Sequence, residues 1–127
     1  MPRVIVQTSA APAAIGPYAQ AVRAGATVYL SGQIPLDAYS GQLVEGDIDV
    51  QARQVFANLE AVARAAGGSL QQAVRIGIFL TDLGDFAAVN RVMESVLQPP
   101  YPARATVQVA ALPRGARIEA DAILVLD

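Results

Sequence analysis

The chain has 127 residues, of which 54% are hydrophobic, and its formal net charge is -2. This length fits one domain, residues 1–127, with enough buried surface for a genuine core. Cysteine, histidine and lysine are all absent, which excludes disulfides, thiolate metal sites, cysteine nucleophiles, the Ser-His-Asp triad, most zinc sites and lysine Schiff bases.

The nine basic residues are all arginines and lie scattered along the chain. They form no basic stripe for a nucleic-acid backbone. No apolar segment approaches the roughly 20 residues that a membrane-spanning helix needs, and the apolar run at the start is too short for a signal peptide. We therefore expect a cytoplasmic protein without nucleic-acid or membrane partners. The hydrophobic surplus favours a subunit interface, with a very well-filled monomer as the alternative.

The first half of the chain predicts three strands followed by a long helix. Apolar alternation and a glycine turn mark the strands, the last two as a hairpin, at residues 4–8, 19–23 and 27–33. The helix is expected to begin near Asp47 or Asp49, either of which can cap its free N–H groups. Gly67 and Gly68 should end it.

The second half predicts a strand, a helix and two more strands. The first strand covers residues 74–80, and Asp82 or Asp85 should cap the helix that follows. Strands at 104–110 and 118–126 flank a short turn, which makes them expected neighbours in the sheet. The result is an α+β fold, a six-stranded mixed sheet with two helices on one face. The other face stays partly apolar, and oligomerisation would cover it.

Arg104 and Glu119 are charged residues inside these last two apolar strands. A charge in apolar surroundings needs a partner, because removing it from water costs several kcal/mol, roughly speaking. One interpretation is a cross-strand salt bridge between the two residues. In the other, Arg104 holds a ligand carboxylate in its planar fork, while Glu119 orients or deprotonates a water molecule.

Four further positions could line a site, although each also has an ordinary structural interpretation. Asn90 falls on the apolar face of the second predicted helix, where a buried amide must find hydrogen bonds. Tyr18 follows Gly16-Pro17 in a tight turn, where an aromatic ring can be held at a rim. Ser31 and Gly32 end a strand, and a glycine there lets a ligand approach backbone N–H groups.

Several separated motifs together resemble the RidA (YjgF) family nearly from end to end. They are Ala14-Ile15-Gly16-Pro17-Tyr18, Ser31-Gly32-Gln33-Ile34-Pro35, Gln51-Ala52-Arg53-Gln54, the segment from Thr81-Asp82-Leu83 to Val89-Asn90, Pro102-Ala103-Arg104, Val109-Ala110-Ala111-Leu112-Pro113 and Ile118-Glu119. The resemblance implies a single RidA-like domain of chorismate-mutase-like fold. It also implies a homotrimer with a central barrel of sheets, helices outside and clefts between subunits.

The resemblance further implies a 2-iminobutanoate/2-iminopropanoate deaminase, which hydrolyses reactive 2-enamine and 2-imine acids to 2-keto acids and ammonia. No cofactor or metal is expected. In the family pattern Arg104 grips the substrate carboxylate and Glu119 lies near the attacking water. Tyr18, Ser31, Gly32 and Asn90 match residues that line or shape the pocket.

Thr106 departs from the family pattern, because many members carry cysteine at this position. The backbone at Thr106 is expected to contact substrate, so the change bears on substrate preference more than on reaction type. Two alternatives stay open from the sequence. One is a non-catalytic trimer that binds small carboxylates and regulates a partner. The other is RNA cleavage, against which the acidic charge and the absence of histidine argue.

Overall fold

The computed structural model describes residues 2–127, which form a mixed sheet of six strands with two helices packed on one of its faces. The strands are β1 (Arg3–Val6), β2 (Ala21–Ala24), β3 (Thr27–Gln33), β4 (Ala73–Leu80), β5 (Ala103–Gln108) and β6 (Ile118–Val125). The helices are α1 (Ile48–Ala65) and α2 (Phe86–Val96). The predicted α+β class with six strands and two helices is therefore confirmed.

The strand order is β1-β2-β3-β6-β4-β5, antiparallel except for the parallel pair of β4 and β5. The expectation that the last two strands are neighbours is wrong. Helix α2 carries the chain from β4 back to a parallel edge position for β5, as such a connection requires. The following loop then crosses the end of β4, where Val109 N donates to Leu80 O and Thr81 N donates to Arg117 O. Strand β6 thus enters between β3 and β4.

The two helix starts differ in how they are capped. At α1, Asp47 Oδ1 accepts a hydrogen bond from Val50 N at 3.1 Å, as the sequence predicts. At α2, Asp85 holds the N-cap position but makes no side-chain bond to the helix. Asp82 caps a preceding 3₁₀ turn instead, accepting from Gly84 N at 2.8 Å. Neither predicted aspartate therefore caps α2 itself.

The core lies between the sheet and the helices. Its centre is built from residues that are at most 1% exposed, among them Val55, Phe56, Leu59, Val62, Ile76, Ile78, Leu80 and Ile118. The opposite sheet face is covered by no described helix and carries apolar side chains that are 44–60% exposed, namely Ile5, Tyr29, Val107 and Val125. None of the described helices is long and apolar enough to cross a membrane.

Candidate functional site

The predicted site residues fall into two clusters on opposite faces of the sheet. Arg104 pairs in register with the core residue Ile76, so its side chain lies on the helix side. Glu119 pairs with Phe79, which lies three residues after Ile76 on β4 and therefore on the opposite face. The side chain of Glu119 thus lies on the open side of the sheet. Because the two residues sit on opposite faces, they form no ion pair within one chain. The salt-bridge interpretation of Arg104 and Glu119 is wrong.

Arg104 is held by three residues of α2, and we call this group the arginine cluster. Its Nη1 donates to Asn90 Oδ1 and lies 3.5 Å from Met93 Sδ. Its Cζ lies 5.1 Å from the centroid of the Phe86 ring, within the range of a cation–π contact. Phe86, Asn90 and Met93 recur at helical spacing and therefore share one face of α2. Asn90 bonds to the guanidinium rather than to the backbone.

The other edge of the Arg104 guanidinium is available. Within residues 2–127, its Nε and Nη2 make no hydrogen bond, and no carboxylate oxygen lies within 4.0 Å. The side chain borders a pocket of about 390 Å³ that is also lined by Asn90, Met93, Glu94, Tyr101 and Pro102. An Nε–Nη2 edge is the fork that binds a carboxylate through two parallel hydrogen bonds.

Thr106 lies two residues beyond Arg104 on the same face of β5. Its Oγ1 is buried and has no hydrogen-bond partner among residues 2–127. An unsatisfied buried hydroxyl costs about 1–3 kcal/mol. This position therefore has hydrogen-bonding capacity that the chain itself leaves unused.

Glu119 lies beside a bulge in β3, where the register between β3 and β6 shifts between Leu30 and Gln33. Gly32 occupies this bulge, and a Cβ on it would overlap the Glu119 carboxylate. Only glycine leaves that carboxylate its space. Ser31 Oγ donates to Ala19 O at 2.6 Å. The Ser31 hydroxyl thus fixes the residue that follows Tyr18.

The carboxylate of Glu119 borders a second pocket, of about 430 Å³, which we call the glutamate pocket. Tyr18, Gly32, Arg114 and Glu119 line it together with the mainly apolar residues Pro12, Ala13, Ile15, Gln20, Gln33, Ile34, Leu36 and Pro113. Gln20 shapes its N-terminal wall, because its side-chain amide bonds Thr8 N at 2.7 Å and Pro12 O at 2.8 Å. Three predicted residues, Tyr18, Gly32 and Glu119, are therefore brought together.

The electrostatics of Glu119 differ from those of an exposed glutamate. Burial raises the pKa of its carboxyl group, and the negative charge of Asp121, two residues along the same strand face, raises it further. Asp121 is itself 3.7 Å from Arg75 Nη1. Glu119 thus holds its proton to a higher pH than an ordinary glutamate and is suited to proton transfer.

Three site residues were not predicted as such from the sequence. Phe86 and Met93 share the apolar face of α2 with Asn90, and their contact with Arg104 depends on the placement of β5. Arg114 has a left-handed φ of 63°, rare for a residue other than glycine, and donates to Gly41 O at 3.3 Å. The Pro113-Arg114-Gly115 turn was the available signal. No group of three or more potential metal ligands occurs within residues 2–127.

Comparison with known proteins identifies the family. The family model described as Endoribonuclease L-PSP matches residues 8–126. The crystal structure of RidA from the Antarctic bacterium Psychrobacter sp. is 51% identical, with a TM-score of 0.94, and the match covers 97% of this chain and 99% of that one. The chain belongs to the RidA family. The resemblance noted in the sequence is thereby confirmed.

Two curated relatives match over nearly their whole length. A protein of Dermatophagoides farinae named 2-iminobutanoate/2-iminopropanoate deaminase is 45% identical over 126 residues, covering 99% of this chain and 98% of the relative. Protein DfrA of Myxococcus xanthus is 53% identical over 127 residues, covering 98% of this chain and 97% of the relative. The RidA fold thus extends over this chain without a large insertion or deletion.

Proposed function

We propose that this RidA-family chain hydrolyses reactive 2-imino and 2-enamino acids with small side chains, such as 2-iminopropanoate and 2-aminoacrylate, to 2-keto acids and ammonia. The deaminase name of the relative from Dermatophagoides farinae supports this reaction. The observation that carries the proposal is the state of Arg104. Its Nη1 is anchored to Asn90, and its Nε–Nη2 edge is left to bind the substrate carboxylate.

The proposed site is shared between protomers, because one chain holds its two halves on opposite faces of the sheet. The arginine cluster of one protomer would meet the glutamate pocket of a neighbour. The open apolar face supports such an assembly, since an uncovered apolar patch of this kind marks an interaction surface. We propose a homotrimer in which the open faces form a central barrel and the helices lie outside.

The proposed chemistry needs no covalent nucleophile, since the imine carbon is already electrophilic. Arg104 binds the carboxylate and holds the imine in place. Glu119 orients a water molecule, takes its proton as the oxygen bonds to the imine carbon, and then delivers that proton to the nitrogen. In the resulting carbinolamine the hydroxyl proton passes to the nitrogen, the C–N bond breaks, and ammonia leaves as the C–O bond becomes the ketone carbonyl. Backbone N–H groups near Gly32 and Thr106 would orient the reacting centre.

The direct test supplies 2-aminoacrylate from a pyridoxal-phosphate-dependent dehydratase and follows the release of keto acid. At micromolar concentration the protein is expected to accelerate release above the spontaneous rate, without added metal or cofactor. A protein that binds 2-oxobutanoate but leaves the release rate at the spontaneous level would instead be a carboxylate-binding module. That result would remove the proposed function.

The assembly can be tested on the open sheet face. Light scattering is expected to give a mass of about 40 kDa, three times the 13.2 kDa of one chain. Tyr29→Glu places a charge on that face and should shift the mass to a single chain. Tyr39→Glu is the matched control, because this tyrosine is fully exposed at a loop tip. A Tyr29→Glu variant that remains trimeric would contradict the barrel.

The pH dependence follows from the raised pKa of Glu119. If the ionised carboxylate activates water, kcat rises with pH through that pKa, so its acidic limb lies above the pH of an ordinary glutamate. Asp121→Asn removes the nearby negative charge that raises the pKa of Glu119, so this pKa should fall. The acidic limb should move to lower pH. A limb that stays in place or moves up would contradict this role.

A further inference from the structure

Arg117 makes four hydrogen bonds to three residues, one on α1 and two in the connection between β4 and α2. Its N donates to Gln51 Oε1 of α1 at 2.9 Å, and its O accepts from Thr81 N, just beyond β4, at 3.2 Å. Its Nη2 donates to both carboxylate oxygens of Asp85, at 3.0 and 2.9 Å. The side chain of Asp85 is only 13% exposed. This segment is therefore held from several directions.

The Arg117–Asp85 pair connects the elements that carry the two halves of the site. Arg117 directly precedes β6 and lies two residues before Glu119. Asp85 directly precedes α2, whose first residue, Phe86, faces Arg104. The Asp85 carboxylate bonds to Arg117 instead of capping α2. Neither residue lines the arginine-cluster pocket or the glutamate pocket.

We propose that Arg117 and Asp85 are positioning residues, which fix the start of α2 against the start of β6 and so direct the free edge of Arg104. The inference rests on the proposed function of Arg104. The Asn90 bond to Nη1 turns the Nε–Nη2 edge toward the pocket only while α2 keeps its place. In the proposed trimer, the arginine cluster and the glutamate pocket of one protomer belong to two different sites. One Arg117–Asp85 pair would therefore influence both of those sites.

The geometry of the contact suggests a conservative replacement. A single nitrogen, Nη2, contacts both Asp85 oxygens, and a lysine ammonium can donate to two oxygens in the same way. Arg117→Lys should therefore retain the contact, whereas Arg117→Gln and Asp85→Asn lose its charge. The matched control is Arg64→Gln, which removes an exposed ion pair between Arg64 and Glu60 on the outside of α1.

The test measures 2-oxobutanoate binding by calorimetry, imine hydrolysis, and the melting temperature of each variant. Asp85→Asn and Arg117→Gln are expected to raise the Kd and the KM about tenfold, because a misplaced anchor loses its alignment. The kcat at saturation should change less than about twofold, since Glu119 and the proposed backbone donors are intact. Arg117→Lys and Arg64→Gln should match the wild type. The double variant Asp85→Asn/Arg117→Gln should raise the Kd and the KM no further than either single variant does.

A purely structural role predicts a different pattern. If Asp85→Asn and Arg117→Gln lower the melting temperature but leave Kd and KM unchanged, the proposal is overturned. Additive losses in the double variant would overturn the pairing as well. A wild type that binds 2-oxobutanoate without hydrolysing imines would remove the proposed function, while the comparison of Kd values would still decide whether the pair positions Arg104.

Discussion

Replacing Arg104 with alanine is expected to reduce imine hydrolysis at least about 30-fold, because truncating one partner of a desolvated charge pair costs about 2–5 kcal/mol. The same change should weaken 2-oxobutanoate binding by a similar factor. Arg104→Lys is expected to fail too. One ammonium cannot keep the Asn90 contact and also offer a planar two-donor edge to a carboxylate. The measurements are keto-acid release and calorimetric affinity.

Arg91→Ala is the matched control for the Arg104 variants. Arg91 is an exposed arginine on α2, directly after Asn90, and its side chain makes no hydrogen bond or ion pair within residues 2–127. The Arg91→Ala variant removes the same charge, next in sequence to the Asn90 that anchors Arg104, so hydrolysis should stay near the wild-type rate. Light scattering should show an unchanged assembly for all variants. An Arg104→Lys variant with wild-type affinity would contradict bidentate carboxylate binding.

Local signals in the sequence predicted the elements well, because their causes are local. Asp47 caps α1 as expected, and Gly67, with a φ of 97°, follows its end. Asp85 shows the limit of this reasoning. Its position is typical of a capping residue, but its carboxylate bonds to Arg117, which lies 32 positions away in sequence. A partner at that separation leaves no mark in a local window.

The site could be predicted from the sequence only in part, because the pairing of the strands is not encoded locally. Alternation correctly puts Arg104 and Thr106 on one face of β5, but it cannot say whether that face is also the face of Glu119. Only the insertion of β6 between β3 and β4 decides this. The motif resemblance selected Tyr18, Gly32 and Glu119, which the fold brings together, and Arg104 with Asn90. It did not reveal that the Ser31 hydroxyl donates a hydrogen bond to Ala19 O.

Glu119→Gln is expected to separate binding from turnover. Glutamine has the size of the glutamate side chain that lies against Gly32, but it cannot take a proton from water. The keto-acid products of the reaction should therefore bind with nearly unchanged affinity. The kcat should fall about 100-fold or more, the range for loss of a general base. The steady-state rate of keto-acid release measures turnover, and the calorimetric Kd measures binding.

The same variant distinguishes the enzyme from a carboxylate-binding module. A module that only captures small carboxylates needs Arg104 and can dispense with Glu119, so Glu119→Gln would leave every measurable property intact. Glu45→Gln is the control, since Glu45 is an exposed glutamate in the loop before α1. If Glu119→Gln hydrolyses imines at the wild-type rate, the water must be activated by another group, and the roles assigned to the two halves of the site must be revised. If kcat falls while Kd holds, the Arg104 half binds and the Glu119 half performs the chemistry.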